Sequence, residues 1–447
     1  MADERKRLIG LGPDALADAL LELAARHEGV QDRVARLVAS PKENVRRFRA
    51  KLAGLKRSTR FVPYRESGAF AHELVALLAD LEAGVDDPLS GLRLVAKFFE
   101  ADDAIFSRSD DSNGSIGDVF RFNAADLFAK YAARCDDKAA VRDVVFALLN
   151  DDDYGVRDSV VSCAASYLPE TELRVLVERF WQRAREKADE YGRSGRLHLV
   201  ESLAEQLRDA PLFERVRREG WPNLGTAACL DIARVYFDSG DATTALTWLE
   251  RVPDTEHFQA YERNQLLAKV YDRLGRKEDH AKIAWRIFRS SRSAVGLDEL
   301  LAVIGAEQRE RVIAGETRLI LENEALSTVD ASFLIAVERL DDAEAYLLER
   351  APQLNGEYYS HLLPLADAME TAGRELAASV IYRALLESIL KRALSKYYTH
   401  GVRYLKKLDW LAKKIERWHD VPQHSAYMAE LREKHGRKSS FWGRYER

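Results

Sequence analysis

The sequence predicts an all-α protein, built as an α-solenoid in which helical hairpins stack one after another. Three observations carry this prediction. The 447 residues include only 24 Gly and 11 Pro, while 32% are charged and 47% are hydrophobic, which is typical of helices with solvated outer faces. Apolar residues recur with the helical period along most of the chain. In the second half, a helix–turn–helix unit recurs at an interval of 35 residues.

The N-terminal part is predicted to begin with amphipathic helices. In KAAVRDVVFALLN (138–150), apolar residues follow the spacing i, i+3, i+4, i+7 that places them on one helix face. In VRDSVVSCAASYL (156–168), Val156, Val160, Ala164 and Tyr167 lie on one face in the same way. Only a short polar turn separates the two segments, so they are expected to pack as an antiparallel hairpin.

Three aspartates, 151–153, occupy that turn and allow two interpretations. A metal site needs oxygen ligands that converge on one ion, which three adjacent residues at one helix start do not provide. Capping is favoured instead: Asp152 or Asp153 caps the next helix, and Asp153 pairs with Arg157 at i, i+4. An Asp, then Val-Arg, then an apolar helix resembles a HEAT-type repeat.

The repeat of the second half is centred on three glycines, Gly240, Gly275 and Gly373. A small residue precedes each glycine by seven positions, so two helices can approach closely while glycine forms the turn. Gly305 and Leu340 fall at the next intervals, but their flanking residues fit the pattern poorly. The pattern resembles tetratricopeptide-type repeats, which implies stacked hairpins with a concave binding face.

These patterns divide the chain into three predicted regions. Residues 1–175 form a HEAT-like helical array, residues 176–390 form tetratricopeptide-like hairpins, and residues 391–447 form basic, aromatic C-terminal helices. The segment EYGRSGRLH (190–198) contains two glycines and a serine, and it is the best candidate for a break between the first two arrays.

As a whole, the chain resembles an uncharacterised family of bacterial helical-repeat proteins. The stretches that carry the resemblance are SNGSIGDVFRFNAADLFAKYAARCDDK, DDDYGVRD and KRALSKYYTHGVRYLKKLDWLAKKIERW. The chain is also similar to the helical C-terminal regions that occur beside SWIM zinc fingers. It lacks the clustered Cys and His that such a finger needs, so the resemblance implies an architecture and no zinc site.

Charge is distributed unevenly along the chain. Residues 1–60 carry a net charge of +6 and residues 391–447 a net charge of +9, although the whole chain has a net charge of −5. The basic ends could attract a polyanion, or they could be solvated helical faces that are drawn to the acidic body.

The basic, aromatic C-terminal region provides the candidate binding residues. Basic side chains neutralise phosphates and aromatic rings stack on unpaired bases, but the same pattern also suits the soluble outer face of a packed helix. The candidates for nucleic-acid or partner binding are Lys396, Tyr398, His400, Arg403, Lys406, Lys407, Trp410, Lys413, Lys414, Arg437, Lys438 and Trp442.

Signals for catalysis are weak. The sequence contains no phosphate-binding loop, dinucleotide fingerprint, HExxH or GxSxG motif, so no catalytic residue, cofactor-binding residue or metal ligand is assigned. The polar segment 107–118 fails the calcium-loop template because Phe120 stands where a bidentate Glu is needed. A helix cap is favoured there, and a metal or partner site built on its Asp and Asn cluster is the alternative. Arg193 and His198 have the spacing of a helical ribonuclease motif, but Gly192 and Gly195 around them argue against the helix that the motif requires.

The sequence therefore predicts a non-enzymatic scaffold or adaptor that binds a protein partner and needs no cofactor. A nucleic-acid-binding module that uses the basic ends is the alternative, and a nuclease is a remote one. Three dispersed cysteines and the lack of a signal peptide or a long apolar stretch predict a cytoplasmic protein without a membrane span.

Overall fold

The computed structural model describes residues 2–150, 155–186, 190–221 and 223–447. In these residues the regular secondary structure is helical, and successive helices pack as hairpins, which confirms the all-α prediction. A single bridge between Val62 and Ser109 is the one pairing of extended backbone in the described part. The chain divides into two compact units, Met1–Glu256 and His257–Arg447. The three regions predicted from the sequence remain a prediction.

The first unit consists of helices joined by short turns. Their bounds are α1 (Ala2–Gly10), α2 (Pro13–Arg26), α3 (Glu28–Val38), α4 (Pro41–Arg57), α5 (Tyr64–Gly84), α6 (Pro88–Phe99), α7 (Asp102–Phe106), α8 (Ser115–Asp118), α9 (Ala125–Arg134), α10 (Lys138–Asn150), α11 (Asp158–Ser162), α12 (Glu170–Glu186), α13 (Glu190–Gln206), α14 (Ala210–Gly220), α15 (Thr226–Asp238) and α16 (Ala242–Leu249). An apolar core extends from Phe48 on α4 to Val216 on α14.

A buried ion pair lies inside this core. The Arg157 guanidinium donates from Nε and Nη2 to the two Asp102 carboxylate oxygens, each at 2.7 Å. Its Nη1 donates to the Leu148 carbonyl oxygen at 3.0 Å. Residues 151–154, including the predicted cap and the Asp153 partner of Arg157, lie outside the described residues. The described carboxylate partner of Arg157 is therefore 55 positions away along the chain.

Two local predictions in this unit are wrong. The helix expected over 156–168 is short: α11 ends at Ser162 and a 3-10 turn follows. The hydroxyls of Ser159, Ser162 and Ser166 donate to backbone carbonyls three residues earlier, which competes with a regular helix. The break expected at 190–198 is absent as well, because α13 continues through both glycines.

The N-terminal basic segment is partly neutralised within its own unit. The carboxylate of Asp80 on α5 is fully buried, and Arg36 donates to it from Nε at 2.8 Å. Arg47 and Lys51 place cationic nitrogens 3.5 and 3.7 Å from its other oxygen. These three cations attach α3 and α4 to α5, so they contribute to packing as well as to surface charge.

The second unit contains the remaining helices. They are α17 (Ala260–Arg273), α18 (Lys277–Ser290), α19 (Ala294–Ile304), α20 (Arg309–Glu322), α21 (Thr328–Ala336), α22 (Leu340–Glu349), α23 (Tyr359–Thr371), α24 (Glu375–Lys391), α25 (Tyr398–Ala412), α26 (His424–His435) and α27 (Ser439–Tyr445). Its apolar core extends from Ala284 to Trp442. Across the described parts of both units, no helix has the length and apolar character needed to cross a bilayer.

The three glycines of the predicted repeat form one recurring turn. Gly240, Gly275 and Gly373 have φ values of 98°, 68° and 70°. In each turn the N–H of the following residue donates to the carbonyl five positions before it, as Arg374 does to Met369 at 2.9 Å. This left-handed cap satisfies carbonyls at the helix end, and the next helix starts two residues after the glycine.

A further copy of the turn is centred on Glu338, 35 positions before Gly373. Glu338 has a φ of 61°, and the N–H of the next residue donates to the Leu334 carbonyl at 2.8 Å. Ala331, seven positions before Glu338, and Ala343, five positions after it, are fully buried. This turn has Glu in place of Gly at its centre, so the turn position predicted from glycine, Leu340, is two residues late.

Glu338→Gly should stabilise the protein by about 1 kcal/mol, because glycine adopts the left-handed conformation without the steric cost that a Cβ brings. The change in free energy of unfolding is measured by urea denaturation of the full chain. Glu338→Ala is the matched control, since it removes the same exposed side chain and keeps the Cβ. A glycine variant no more stable than the alanine variant would contradict this account.

A charge network centred on the buried Glu316 joins three helices of the second unit, and its two arginines differ in burial, since the Arg292 side chain is mostly buried and the Arg289 side chain is half exposed. Glu316 on α20 is 1% exposed and accepts from Nε and Nη2 of Arg289 at 2.9 and 2.7 Å. Arg292 donates from Nε to its other oxygen at 2.8 Å and from Nη1 to Asp330 on α21 at 2.9 Å. The network therefore connects the end of α18 to α20 and α21.

Candidate functional site

The predicted binding residues cluster on and around α25 of the second unit. This helix buries one face, including Leu405 and Leu408, against the core and exposes the opposite face. The exposed candidates are Lys396, His400, Arg403, Lys406, Trp410, Lys413, Lys414 and Arg437, while Lys407 and Lys438 are half-buried. Basic residues alternate on this helix with the apolar positions that fix it in the core, so the exposed candidates share one face, and their binding role remains a prediction.

Two aromatic candidates belong to the core. Tyr398 and Trp442 are each 5% exposed. The Tyr398 ring packs edge-on against Phe441 with centroids 5.6 Å apart, and the Trp442 indole N–H donates to the His435 carbonyl at 3.0 Å. Their rings hold α27 against α25 and present no free face for stacking on a base.

The basic side chains on α25 and directly after it fall into two groups. Lys407 donates to Glu370 at 2.8 Å, and the Lys414 ammonium lies 3.8 Å from Glu375. These two lysines are thereby held to α23 and α24. Arg403, Lys406 and Lys413 form no ion pair within the described part of the chain and present their charge to solvent. A ligand of α25 would meet this second group.

A cavity of about 360 Å³ opens beside the start of α25. Its apolar wall comes from Leu363, Leu385, Ile389 and Tyr404, on three different helices. Its rim carries polar and aromatic side chains: Glu357, Tyr359, Arg392, Tyr397, His400 and Arg403. We call this the tyrosine-rimmed cavity, since Tyr359 is 64% and Tyr397 is 42% exposed.

The charge around this rim is predominantly positive. Arg392 lies 3.5 Å from the Glu357 carboxylate, so that pair is nearly neutral. Arg403 and His400 are spaced i, i+3 on α25, and the His400 ring lies 6.3 Å from the Tyr397 ring. The cavity can therefore hold an apolar side chain while its rim meets a negatively charged group.

A second, shallower cavity of about 270 Å³ continues the surface on the other side of α23. It is lined by the starts of α19 and α21, including Arg292 and the half-exposed Val329, and by His361 of α23. Tyr359 and His361 thus border different cavities from one helix. An extended ligand could contact the starts of α19, α21 and α23 in turn. In helical-hairpin repeats, the stacked units present such an extended binding surface.

The sequence analysis missed several of these residues. Tyr359 and Arg392 lie outside α25 and come near His400 only after α23 and α24 pack, whereas Tyr397 precedes His400 by three positions in the same aromatic segment. A weak signal existed in the pair Tyr358–Tyr359, because two adjacent tyrosines at a helix start are rarely both buried. Both are 64% exposed.

A bridging carboxylate anchors the last helices to α25. Asp409 accepts from the Tyr445 hydroxyl at 2.8 Å, and its other oxygen lies 2.8 Å from Nε2 of His424. Burial, together with this hydrogen bond, raises the pKa of Tyr445 to about 12. Arg444 also donates to the Thr399 hydroxyl at 3.0 Å. The C-terminal helices are therefore fixed in place beside the basic face.

The polar segment 107–118 serves as a helix cap, as the sequence analysis favoured. Asp111 accepts from the backbone N–H groups of Ile116 and Gly117 at 2.7 and 2.8 Å. Asn113 donates to the Ser67 hydroxyl at 3.0 Å. Among the described residues, no group of three or more His, Cys, Asp or Glu side chains could hold a metal ion.

Arg193 and His198, the residues of the nuclease hypothesis, lie on α13 with separate partners. Arg193 donates to the Glu219 carbonyl at 3.3 Å. His198 is exposed and lies 3.7 Å from the Glu201 carboxylate, and its interaction with this carboxylate raises the pKa of His198. Arg193 therefore contacts Glu219, and His198 contacts a different residue, Glu201.

Helices α1–α3 of the first unit carry a different kind of surface. No described residue of α2 is buried. Large apolar side chains of these helices and their connections are between 41% and 80% exposed: Leu8, Ile9, Leu11, Leu20, Leu21, Leu23, Leu37 and Val38. Apolar exposure on this scale is typical of surfaces that contact another macromolecule.

A protein-family model matches residues 4–219 and 223–444 of the chain. The chain belongs to DUF6880. This family is described as one of unknown function, and no curated protein matches the chain. The expected membership in a helical family without an assigned activity is confirmed.

Proposed function

We propose that this chain is a non-enzymatic scaffold that binds an acidic segment of a partner protein at the tyrosine-rimmed cavity. The observation that carries the proposal is the pairing of an apolar wall with a rim of exposed tyrosines and the solvent-facing Arg403. Such a cavity suits an apolar side chain that is flanked by Asp or Glu. The proposed architecture is an α-solenoid, HEAT-like and then tetratricopeptide-like, and its repeated turns support this reading.

Other features support a protein as the partner and the cytoplasm as the place of binding. The exposed apolar side chains of α1–α3 offer a further contact surface that suits a protein more than a nucleic acid. Cys135, Cys163 and Cys229 are free thiols, which fits a reducing compartment. Burial raises the pKa of the Cys163 and Cys229 thiols, so neither has the thiolate character of a nucleophile.

The test uses an array of fluorescent peptides that carry one central Leu, Phe or Trp between Asp and Glu residues. We expect a subset to bind the full chain, and Arg403→Glu to weaken that binding about 10-fold or more because it reverses the charge at the rim. Arg417→Glu is the matched control, since Arg417 is exposed in the same C-terminal segment and does not line the cavity. Failure of every peptide to bind, or equal losses in both variants, would reject the proposal.

A nucleic-acid-binding role is the second candidate, and the solvent-facing Lys406 and Lys413 beside the exposed Trp410 favour it. Its test is a second arm of the same experiment, with a single-stranded oligonucleotide in a salt series. A variant carrying Lys406→Glu and Lys413→Glu should abolish oligonucleotide binding and leave peptide binding intact. Lys407 is a poorer choice for such a variant because Glu370 already neutralises it.

A further inference from the structure

A larger cavity lies on the other side of the Gly356 segment in the second unit. Its volume is about 1380 Å³, and its walls come from residues 348–357, from the middle of α24, and from residues 419–430. Gly356 packs so closely on α24 that a Cβ there would lie 2.1 Å from the Ala384 carbonyl oxygen. The wall between the two cavities is therefore tightly fixed. We call this larger space the Arg383 cavity.

Three residues that line the Arg383 cavity carry buried polar atoms without hydrogen-bond partners. They are Nε and Nη2 of Arg383, the hydroxyl of Ser388 and the hydroxyl of Tyr427. Arg383 is 7% and Tyr427 is 4% exposed. Buried donors in folded proteins almost always have a partner, because water can no longer satisfy them. Four such atoms around one cavity would be satisfied by acceptors within it, either ordered water or a ligand.

The position of Arg383 defines the chemistry of that ligand. Its Nη1 donates to the Pro422 carbonyl at 2.9 Å, which fixes one side of the guanidinium. The guanidinium carbon lies 4.4 Å from the centroid of the Tyr427 ring and 5.2 Å from that of Trp418. The remaining edge, formed by Nε and Nη2, has two parallel N–H groups that match the two oxygens of a carboxylate or a phosphate.

The charges around the cavity favour a singly charged group. Glu387 lies beside the Tyr427 hydroxyl without reaching hydrogen-bond geometry, and burial raises the pKa of Glu387. Asp420 and Glu430 also line the cavity, and Lys434 holds the Glu430 carboxylate. Lys391 and Arg392 add cations at the rim, and the carboxylates of Glu349 and Glu357 are paired with Arg350 and Arg392. Because carboxylates and cations both line the cavity, a doubly charged phosphate is disfavoured and a single carboxylate is tolerated.

We propose that the Arg383 cavity binds a carboxylate ligand, which Arg383 holds in a bidentate pair while the Ser388 and Tyr427 hydroxyls donate to it. This site lies on the opposite side of the Gly356 segment from the tyrosine-rimmed cavity, with which it shares Gly356, Glu357 and Arg392, and its donors do not belong to that cavity. The proposal does not depend on the scaffold function proposed above. The carboxylate can come from a free organic acid or from the C-terminus of a peptide. The donors are shielded from bulk water, so a ligand that reaches them replaces no existing hydrogen bond within the protein.

The test measures binding to the full chain by calorimetry and by ligand-observed NMR. The probes are benzoate, a tripeptide with a free C-terminal carboxylate, the same tripeptide amidated, and inorganic phosphate. We expect benzoate or the free tripeptide to bind. Preference for benzoate identifies a free acid as the source, whereas preference for the free over the amidated tripeptide identifies a C-terminus.

Variants establish whether Arg383, Ser388 and Tyr427 are responsible. Arg383→Lys keeps the positive charge and removes the parallel Nε and Nη2 donors, so it should weaken binding about 10-fold or more. Tyr427→Phe and Ser388→Ala each remove one hydroxyl and should weaken binding severalfold without loss of folding, because neither hydroxyl has a protein partner. Tyr445→Phe is the control, since its hydroxyl is bound to Asp409 away from the cavity.

Three outcomes would overturn the proposal. They are no binding of any carboxylate at millimolar concentration, tighter binding of phosphate than of carboxylates, and carboxylate binding that all three cavity variants leave unchanged. The two hydroxyl variants keep the test decisive even where Arg383→Lys disturbs the packing against Trp418.

Discussion

Replacement of Asp102 by Asn should lower the free energy of unfolding by about 3–5 kcal/mol. Asp102 is 1% exposed, and both of its oxygens accept from the nearly buried Arg157 at 2.7 Å. Asn keeps the size of the side chain and removes its negative charge, so the Arg157 guanidinium loses two charge-assisted hydrogen bonds to a carboxylate inside the core. Urea denaturation of the full chain, followed by circular dichroism, measures the loss.

The control for this prediction is the neighbouring residue. Asp103→Asn makes the same chemical change at an exposed position of the same helix, and surface charges contribute little to stability. The prediction fails if Asp102→Asn costs less than about 1 kcal/mol, the value typical of an exposed pair. A variant with Leu at both Asp102 and Arg157 should recover part of the stability, because no charge is then left unpaired.

Glu316→Gln should destabilise the second unit by about 3 kcal/mol, since Gln leaves two arginines with a neutral partner in a buried network. Glu316 is 1% exposed and accepts three N–H groups from Arg289 and Arg292. The amide of Gln also turns a donor toward one of the guanidinium groups. Thermal unfolding of the full chain should show the lowered midpoint.

An exposed Glu–Arg pair on the same helix provides the comparison. Glu310 lies 3.5 Å from Arg339 and its side chain is 82% exposed, so Glu310→Gln should change stability by less than about 0.5 kcal/mol. Similar effects of the two substitutions would show that burial adds nothing to the Glu316 network, contrary to its geometry.

Local periodicity predicted the helices well, because apolar spacing reflects which face is buried. Its failures have local physical causes. Serine hydroxyls that bond to backbone carbonyls shortened α11, and the glycines of α13 lie inside a helix whose neighbours α12 and α14 pack on it. The repeat register was read from glycine, so the copy centred on Glu338 was missed, although its buried Ala331 and Ala343 obey the same spacing.

The candidate sites were less predictable than the helices. The basic face of α25 could be found from one segment, since its charges alternate with core positions along a single helix. The Arg383 cavity joins three segments that are distant in sequence, and no local pattern marks Arg383, Ser388 and Tyr427 as neighbours. Arg157 illustrates the same limit, because its buried partner Asp102 is 55 positions away.

The Glu316 network has a consequence for how the second unit opens. A hairpin held only by apolar contacts can separate from its neighbours locally and expose its backbone amides to exchange with solvent. Glu316 and its partners connect α18, α20 and α21, so separation of any one of these helices breaks at least one ion pair of the network. These three helices should therefore open together, which makes a group of helices, and not the single hairpin, the cooperative element in this part of the chain.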